Sequence, residues 1–535
     1  VTIGIAGLAS SRKTPGYYFN VILGGASTSA GEAPRKILLV GNKITTDLTA
    51  AAPSFTVAAG TQANAVPVAV YSADDVATYF GRGSELHRPA KRVFEQYPDA
   101  AVFCMAVAES GGAKATGVYT FVTTASGAFS VRFKLSTETF DVAVASGDSI
   151  TAIATACATA ILARPDLGMT AQFSAGVLTL TAKHPGPRGN DLVVDAFFVN
   201  AAGLETRITT SSTSSGSGTT CTLSGQTTVE GAYYLSGGTT ADDVTAALAA
   251  VVSSTYHRQV WAHRDTTNVD LINAQIDSLA GVTAQRRQQV VYGSLSSLAT
   301  AITLATGRNK ARAQIVWHYN SPVPIEEVAA QECAARLIGD SAAGGVLPGE
   351  ATDPAANLDG LRLKSILPQS SVADQPTATE IESALNNGLT PLMPASGNRV
   401  AVVRSVTTRS IGAASQPNYS VLDTSVVTIA DFITDDMQAD AATTWQGFKL
   451  APDNADGSSP EVPLVTTPSL IRARFFRKLK SYEAAAILIN VDAWKANLQT
   501  ALSATPGRCD AEIPFEAIPG LHILGANVRQ VGGAA

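Results

Sequence analysis

Apolar residues come in short runs, and the spacing of those runs sets the first reading. Residues 37–40 form an Ile-Leu-Leu-Val block closed by Gly41, the pattern of a strand buried on both faces. Similar blocks return at 101–108, 259–262, 290–293 and 313–319. Helix-start chemistry lies between them. Ser72 stands three residues before Asp75, as in a capping box, and Thr240 stands three before Asp243. Residues 84–97 read as a helix with Pro89 in its first turn, and 244–252 and 295–306 as further helices. Residues 324–338 read as another, with Pro324 near its start, Glu326 and Glu327 in the first turn and Arg336 in the last. Strands alternating with helices predict a mainly parallel or mixed sheet covered by helices.

Residues 111–238 follow a different rule. Thr, Ser, Val and Phe dominate, apolar and polar positions alternate at 119–123 and 129–135, and further strands fit 176–181 and 191–199. One helix, 149–162, interrupts them, and the polar run 209–220 reads as a loop. This is a β-rich domain inserted into the α/β domain, which resumes at 239. Farther on, 391–406 and 419–427 read as strands with a turn at 412–417. Residues 451–468 read as a loop, and 468–489 and 491–502 as helices. Each chain end carries a solitary extended segment. Tyr17, Phe19, Val21 and Leu23 share one face of the first, and Leu524, Ala526 and Val528 alternate along the second. A lone strand must pair with something. The first is either an edge strand of its own domain or, like the second, an arm that adds to a neighbour's sheet. The fold class is therefore an α/β core, a mixed sheet covered by helices, with an inserted β-rich domain and strand-bearing N- and C-terminal arms. The expected divisions are an arm at 1–34, core at 35–110, insert at 111–238, core again at 239–509 and an arm at 510–535.

A chain of 535 residues is too long for one core. Apolar residues make up 45% and charged residues 15%, which excludes a disordered, highly charged chain. No apolar run approaches the ~20 residues that span a bilayer, so membrane insertion is not expected. A net charge of -6 disfavours a general nucleic-acid binder. Cys104, Cys157, Cys221, Cys333 and Cys509 are scattered, with no CxxC and no histidine at zinc-ligand spacing. Cys509, just before the C-terminal arm, is expected to be a free thiol. The first residues show no basic start followed by an apolar core, so synthesis in a cytoplasm is expected.

Catalytic signatures are missing: there is no GxSxG, P-loop, HExxH or EF-hand loop. The stretch Gly81-Arg-Gly-Ser-Glu-Leu86 begins like GxGxxG but lacks the last glycine and follows no strand. His257 and His263 flank the strand holding Trp261 and read as packing or surface histidines. Asp435 and Asp436 read as a helix cap or solvated acidic loop before a cation site. No catalytic residue, metal ligand or cofactor is expected. One charge cluster stands out: Arg472, Arg474, Arg477, Lys478 and Lys480 on the 468–489 helix, in a protein acidic overall. Ile471, Phe475, Phe476, Leu479 and Tyr482 interleave with them, so one face packs and the other is cationic. That face is either solvated or a docking surface for an acidic partner.

An ordered set of short segments resembles the contractile phage tail sheath proteins of Mu-like type. It begins with Pro15-Gly-Tyr-Tyr-Phe19 and Ile37-Leu-Leu-Val-Gly41. The insert carries Phe140-Asp-Val-Ala-Val-Ala-Ser-Gly-Asp148, Leu178-Thr-Leu-Thr-Ala-Lys-His-Pro-Gly186 and Gly189-Asn-Asp191. Then come Gly307-Arg-Asn309, Tyr319-Asn-Ser-Pro322, Asn387-Gly-Leu-Thr-Pro391, Val400-Ala-Val-Val-Arg-Ser-Val-Thr-Thr-Arg409 and Thr467-Pro-Ser-Leu-Ile-Arg-Ala473. Residues 347–376 carry no part of the resemblance. It implies a structural virion protein, not an enzyme, made in the host cytoplasm and resident in the tail. Its implied partners are copies of itself, the tail tube protein, the baseplate and the tail terminator or neck proteins, with no direct nucleic-acid contact. Subunits of that family polymerise around the tube in an extended metastable lattice and contract to drive the tube through the host envelope. The resemblance implies a core against the tube, an insert outside and terminal arms that exchange strands. The remaining alternatives are another virion structural or glycan-binding protein, or a subtilisin-like hydrolase. The 209–220 loop has no aromatic residue to stack on a sugar.

Overall fold

The computed structural model describes residues 35–50, 54–136, 138–214, 218–229, 232–343, 360–369, 371–412, 415–454, 462–485 and 487–518. The arm residues Tyr17, Phe19, Val21, Leu23, Leu524, Ala526 and Val528 lie outside the described residues. The chain forms two compact units: of the described residues, the first takes 35–342 and 360–424, the second 343 and 425–518. The division at 424 falls inside 239–509, which the sequence reads as one continuation of the core.

The first unit is built on a nine-stranded sheet. Its middle is parallel, in the spatial order Thr390–Ala395, Ala313–Trp317, Gln289–Ser294, Arg258–Trp261, Lys36–Asn42 and Ala101–Val107. Antiparallel strands close both sides: Val68–Val70 beside Ala101–Val107, and Arg399–Val402 then Leu361–Leu363 beyond Thr390–Ala395. Continuous apolar runs form these central strands because both faces are covered. Ile37 and Leu39 pack against helix Ile325–Ala343 on one face, while Leu38 and Val40 join Trp261 and residues of helices Thr245–Val251 and Thr266–Ala280 on the other.

Local signals explain most of the boundaries. Ser72 caps helix Ala73–Phe80, its Oγ accepting from Asp75 N at 3.1 Å. The Thr240–Asp243 signal does not work as expected. Helix Thr245–Val251 has Val244 at its N-cap with no side-chain cap. Asp243 accepts from Thr245 N at 2.8 Å, and Asp242 turns into a buried charge network. The expected strand 391–406 is a hairpin, Thr390–Ala395 with Arg399–Val402, turned at Gly397 and Asn398, both at positive φ.

Between Val107 and Thr245 the chain builds a separate β lobe. Lys114–Phe121 lies in a five-stranded antiparallel sheet and Phe129–Leu135 in a four-stranded one. Alternating positions point inward, so Tyr119, Phe121, Phe133 and Phe198 fill a core closed by helix Ile150–Leu162, which Ser149 caps. Within the expected loop 209–220, Ser212 and Thr213 pair with Cys221 and Thr220. The two connections to this lobe run side by side: Thr239 N donates to Ala113 O at 3.2 Å and Thr116 N to Ser236 O at 2.8 Å. The lobe's apolar cluster is separate from both sheet clusters, with Phe55 the sheet-lobe residue packed against its rim.

The second unit contains helix Pro468–Ala484 and most of helix Thr424–Thr444. The sequence reads 419–427 as a strand because β-branched residues crowd its end. Val427, Ala430, Ile433, Met437 and Ala441 instead recur at helical spacing and are all buried, so packing overrides propensity. The helix expected at 491–502 is also corrected. It stops after Val491–Trp494, and Gln499–Leu502 forms an antiparallel ladder with Cys509–Glu512. Pro468–Ala484 ends five residues short of the expected 489. Cys509 is half-buried, and burial pushes its thiol up to about 11.

Candidate functional site

Two places concentrate chemistry. The first is the junction between the sheet lobe and the β lobe. There Arg188 of the β lobe reaches into the sheet lobe, donating from Nε to Glu85 Oε1 at 2.9 Å and from Nη2 to Asp242 Oδ2 at 2.5 Å. Asn42, at the end of its strand, donates from its backbone N to Glu85 and from Nδ2 to Asp242. His263 Nε2 lies 3.3 Å from Asp242, so this histidine is a fully buried member of the network and not a surface residue. Around this centre, His184 meets Glu109 at 2.7 Å, Arg264 pairs with Asp191, and Tyr234 donates to Asn320 at 2.6 Å. Lys183 Nζ donates to the carbonyls of Arg82 and Pro165, and Asp166 takes Lys91 and Arg82. On the sheet-lobe side, Arg88 bridges Glu326 and Glu327, and Arg92 also holds Glu327.

The abortive glycine motif at 81–86 is the heart of this seam. Gly83 sits at φ +75, and a Cβ there would lie 2.2 Å from Lys183 Nζ and 2.5 Å from Pro165 O, so only glycine lets the two lobes approach this closely. Ser84 Oγ accepts from the backbone N of His87, the first residue of helix His87–Gln96, whose N-cap is Leu86. The charges are held dry. Burial alone would raise the Glu85 carboxyl, yet the positive charge of Arg188 holds it down to about 2. Burial pushes His87 down to about 4, with Asp166 opposing, and pushes Lys183 down to about 7, with Arg88 adding to the shift. Glu326 is raised because its burial outweighs Arg88, whereas Glu327, with two arginines on it, is lowered. The seam was not foreseen: the sequence assigns Glu326 and Glu327 to the first turn of a helix, places the cap signal on Thr240 and Asp243, and gives Asp242 and Arg188 no role of their own.

The second place is the basic helix. Phe475, Leu479 and Tyr482 are buried, with Ile471 and Phe476 against the same cluster, so the apolar face is where the pattern puts it. The cations are not uniformly free. Arg474 grips both oxygens of Asp440 at 2.6 and 2.9 Å. Lys478 lies 2.8 Å from Asp436, which also accepts from Tyr482, and Lys480 pairs with Glu483 and Asp492. Asp435 and Asp436 thus lie within a helix, not at a cap or in a loop. Arg472 is exposed and donates to Lys495 O at 2.9 Å, and Arg477 is exposed.

Neither place has the form of an active site. His318 Nδ1 meets Ser321 Oγ at 2.8 Å, but both residues are buried, and Ser321 also contacts Val323 O. Among the described residues no group of three or more His, Cys, Asp or Glu could hold a metal, and no helix is long and apolar enough to cross a membrane.

No family model matches the chain. It is 20% identical over 504 residues to the Mu-like prophage FluMu tail sheath protein of Haemophilus influenzae, and the match covers 93% of each chain. The chain resembles the Mu-like tail sheath proteins. Similar solved structures include the sheath tail protein of Desulfitobacterium hafniense, at 14% identity and TM-score 0.41 over 94% of this chain and 100% of that one. The helical sheath of the anti-feeding prophage in its contracted state matches at 9% identity and TM-score 0.46, over 97% and 99%. These relatives are structural sheath proteins, not enzymes.

Proposed function

We propose that this chain is the structural subunit of a contractile phage tail sheath. The observation that carries the reading is the full-length match to a tail sheath protein, which leaves no large part of either chain unaccounted for. In this reading subunits polymerise around the tail tube, between baseplate and neck or terminator proteins, in an extended metastable lattice. Release of that lattice to a shorter one drives the tube through the host envelope. The protein works in the virion tail after assembly in the host cytoplasm, without cofactor or nucleic-acid contact. Negative-stain images of the purified full chain test this directly. Tubes or hollow cylinders are expected, and persistent compact monomers at high concentration would overturn it.

The arms supply the links. Tyr17, Phe19, Val21 and Leu23 at one end, and Leu524, Ala526 and Val528 at the other, add strands to adjacent subunits. At ~0.5–1.5 kcal/mol net per ladder hydrogen bond, two arms provide on the order of 10 kcal/mol before ordering costs. Truncation after Gly520 should abolish polymers while leaving a folded monomer.

The basic helix supplies a releasable contact to an acidic tube. Of its five cations, Arg472 and Arg477 are the exposed ones, while Arg474, Lys478 and Lys480 hold carboxylates of their own unit. Replacing those three by Glu would set like charges against Asp440, Asp436 and Glu483, so Arg472→Glu with Arg477→Glu is the cleaner test. Loss of extended, tube-bound sheath with polymerisation retained is the expected result.

A further inference from the structure

The seam joins two lobes that each have their own apolar core, and charge fills the space where a shared core would be. That arrangement has a mechanical meaning. The hydrophobic effect is non-directional, whereas Arg188 satisfies Glu85 and Asp242 only in one register. The close approach at Gly83 and the short paired connections at 113 and 239 fix the same register. We propose that the seam is a latch: a charge-specified docking surface that holds the β lobe on the sheet lobe and opens while both lobes stay folded. Opening exposes ions that water solvates well and little apolar surface, so the opened state lacks the large hydrophobic penalty of a split core. Each lobe keeps its own cluster, Tyr119, Phe133 and Phe198 in one and Leu38, Val40 and Trp261 in the other. The proposal stands whether or not the sheath reading holds.

The test uses the full chain with Arg188→Met, which removes the guanidinium fork and keeps an unbranched side chain about as long as the aliphatic stem of arginine. Two readouts separate latch opening from unfolding. Limited proteolysis probes the two connections, 108–113 and 236–241. Tryptophan emission reports every part of the chain but the β lobe, through Trp261 and Trp317 in the sheet lobe and Trp445 and Trp494 in the second unit, because residues 111–238 contain no tryptophan. The expected result is cutting at the connections at least tenfold faster than in the wild type, with native tryptophan emission and two calorimetric transitions for the first unit in place of one. Wild-type protection at both connections, or a single transition at lower temperature, would overturn the latch and make the lobes one cooperative body. Should Arg188→Met fail to fold, Arg188→Lys decides, since it keeps the charge and loses the fork. An intermediate cutting rate supports the latch, and a wild-type rate sinks it.

Discussion

Arg188 and Arg474 do the same chemistry, a guanidinium donating to carboxylate oxygens, in opposite surroundings. Arg188 and its two carboxylates are each 5% exposed or less, whereas Arg474 is 36% exposed beside an Asp440 at 13%. In the seam the charges have already left water. Their mutual attraction offsets that loss, and removing one partner strands the others dry, at a cost of ~3–5 kcal/mol. On the basic helix water does much of the solvating in either case, and such a pair contributes ~0.2–1 kcal/mol. The seam's ions therefore decide which surfaces meet. The helix's ions trim a contact that Phe475, Leu479 and Tyr482 already hold, so a count of ion pairs would rank the two regions wrongly.

The contrast can be broken at several points. The largest effect belongs to Arg188→Ala, which should cost ~3–5 kcal/mol in urea denaturation of the full chain; a loss below ~1 kcal/mol would place the seam with the surface pairs. Acid comes next. His87 binds its proton at about pH 4 in the folded seam, against 6.5 when unfolded, with Asp166, Arg82, Lys91 and Lys183 facing it. Between those values only the unfolded chain is protonated, so stability falls as pH drops from 6.5 towards 4, by up to ~3 kcal/mol. Glu85, held at about 2, adds a further loss as pH falls below 4.5. Denaturation midpoints that stay flat between pH 7 and 4.5 would contradict this.

Smaller effects sharpen the comparison. Gly83→Ala forces a Cβ into Lys183 and Pro165 at a positive φ, and should cost more than ~1 kcal/mol in the same assay. Arg474→Ala should cost no more than ~1 kcal/mol at low salt, a difference that shrinks in 0.5 M salt as exposed charges are screened. Arg477→Ala should leave the melting temperature unchanged, and any effect it has should show only in binding to tail tubes.

The sheet lobe was largely legible because its information is local. The runs at 37–40 and 313–317 are buried on both faces, and Ser72 marks a helix start within a turn of where the structure has it, as Ser149 does in the β lobe and Pro468 in the second unit. Helix Thr424–Thr444 was misread because Val426, Val427 and Ile429 carry strand propensity, and the inward stripe emerges only over four turns. The seam was illegible for a different reason. Its members stand far apart, Arg88 and Glu327 by 239 positions, and each has an ordinary local explanation. Glu327 is a good first-turn residue, Asp242 stands inside a run that reads as a helix start, and His263 is a good strand-end residue. Only the fold shows that these roles are superseded.

The paired doorway at 113 and 239 has a consequence for how such a chain could be inherited. With the two flanks already hydrogen-bonded to each other, the β lobe could be gained or lost in one recombination event, closed by a short turn, without disturbing the nine-stranded sheet. Glu85 and Asp242 would then lose Arg188 and stand open to water, with Asn42 still donating to both. A related chain lacking the lobe is therefore released from keeping carboxylates at those two positions. The border of the segment that travels as a block lies at 113 and 239, while the set of residues tied to it extends to 85 and 242.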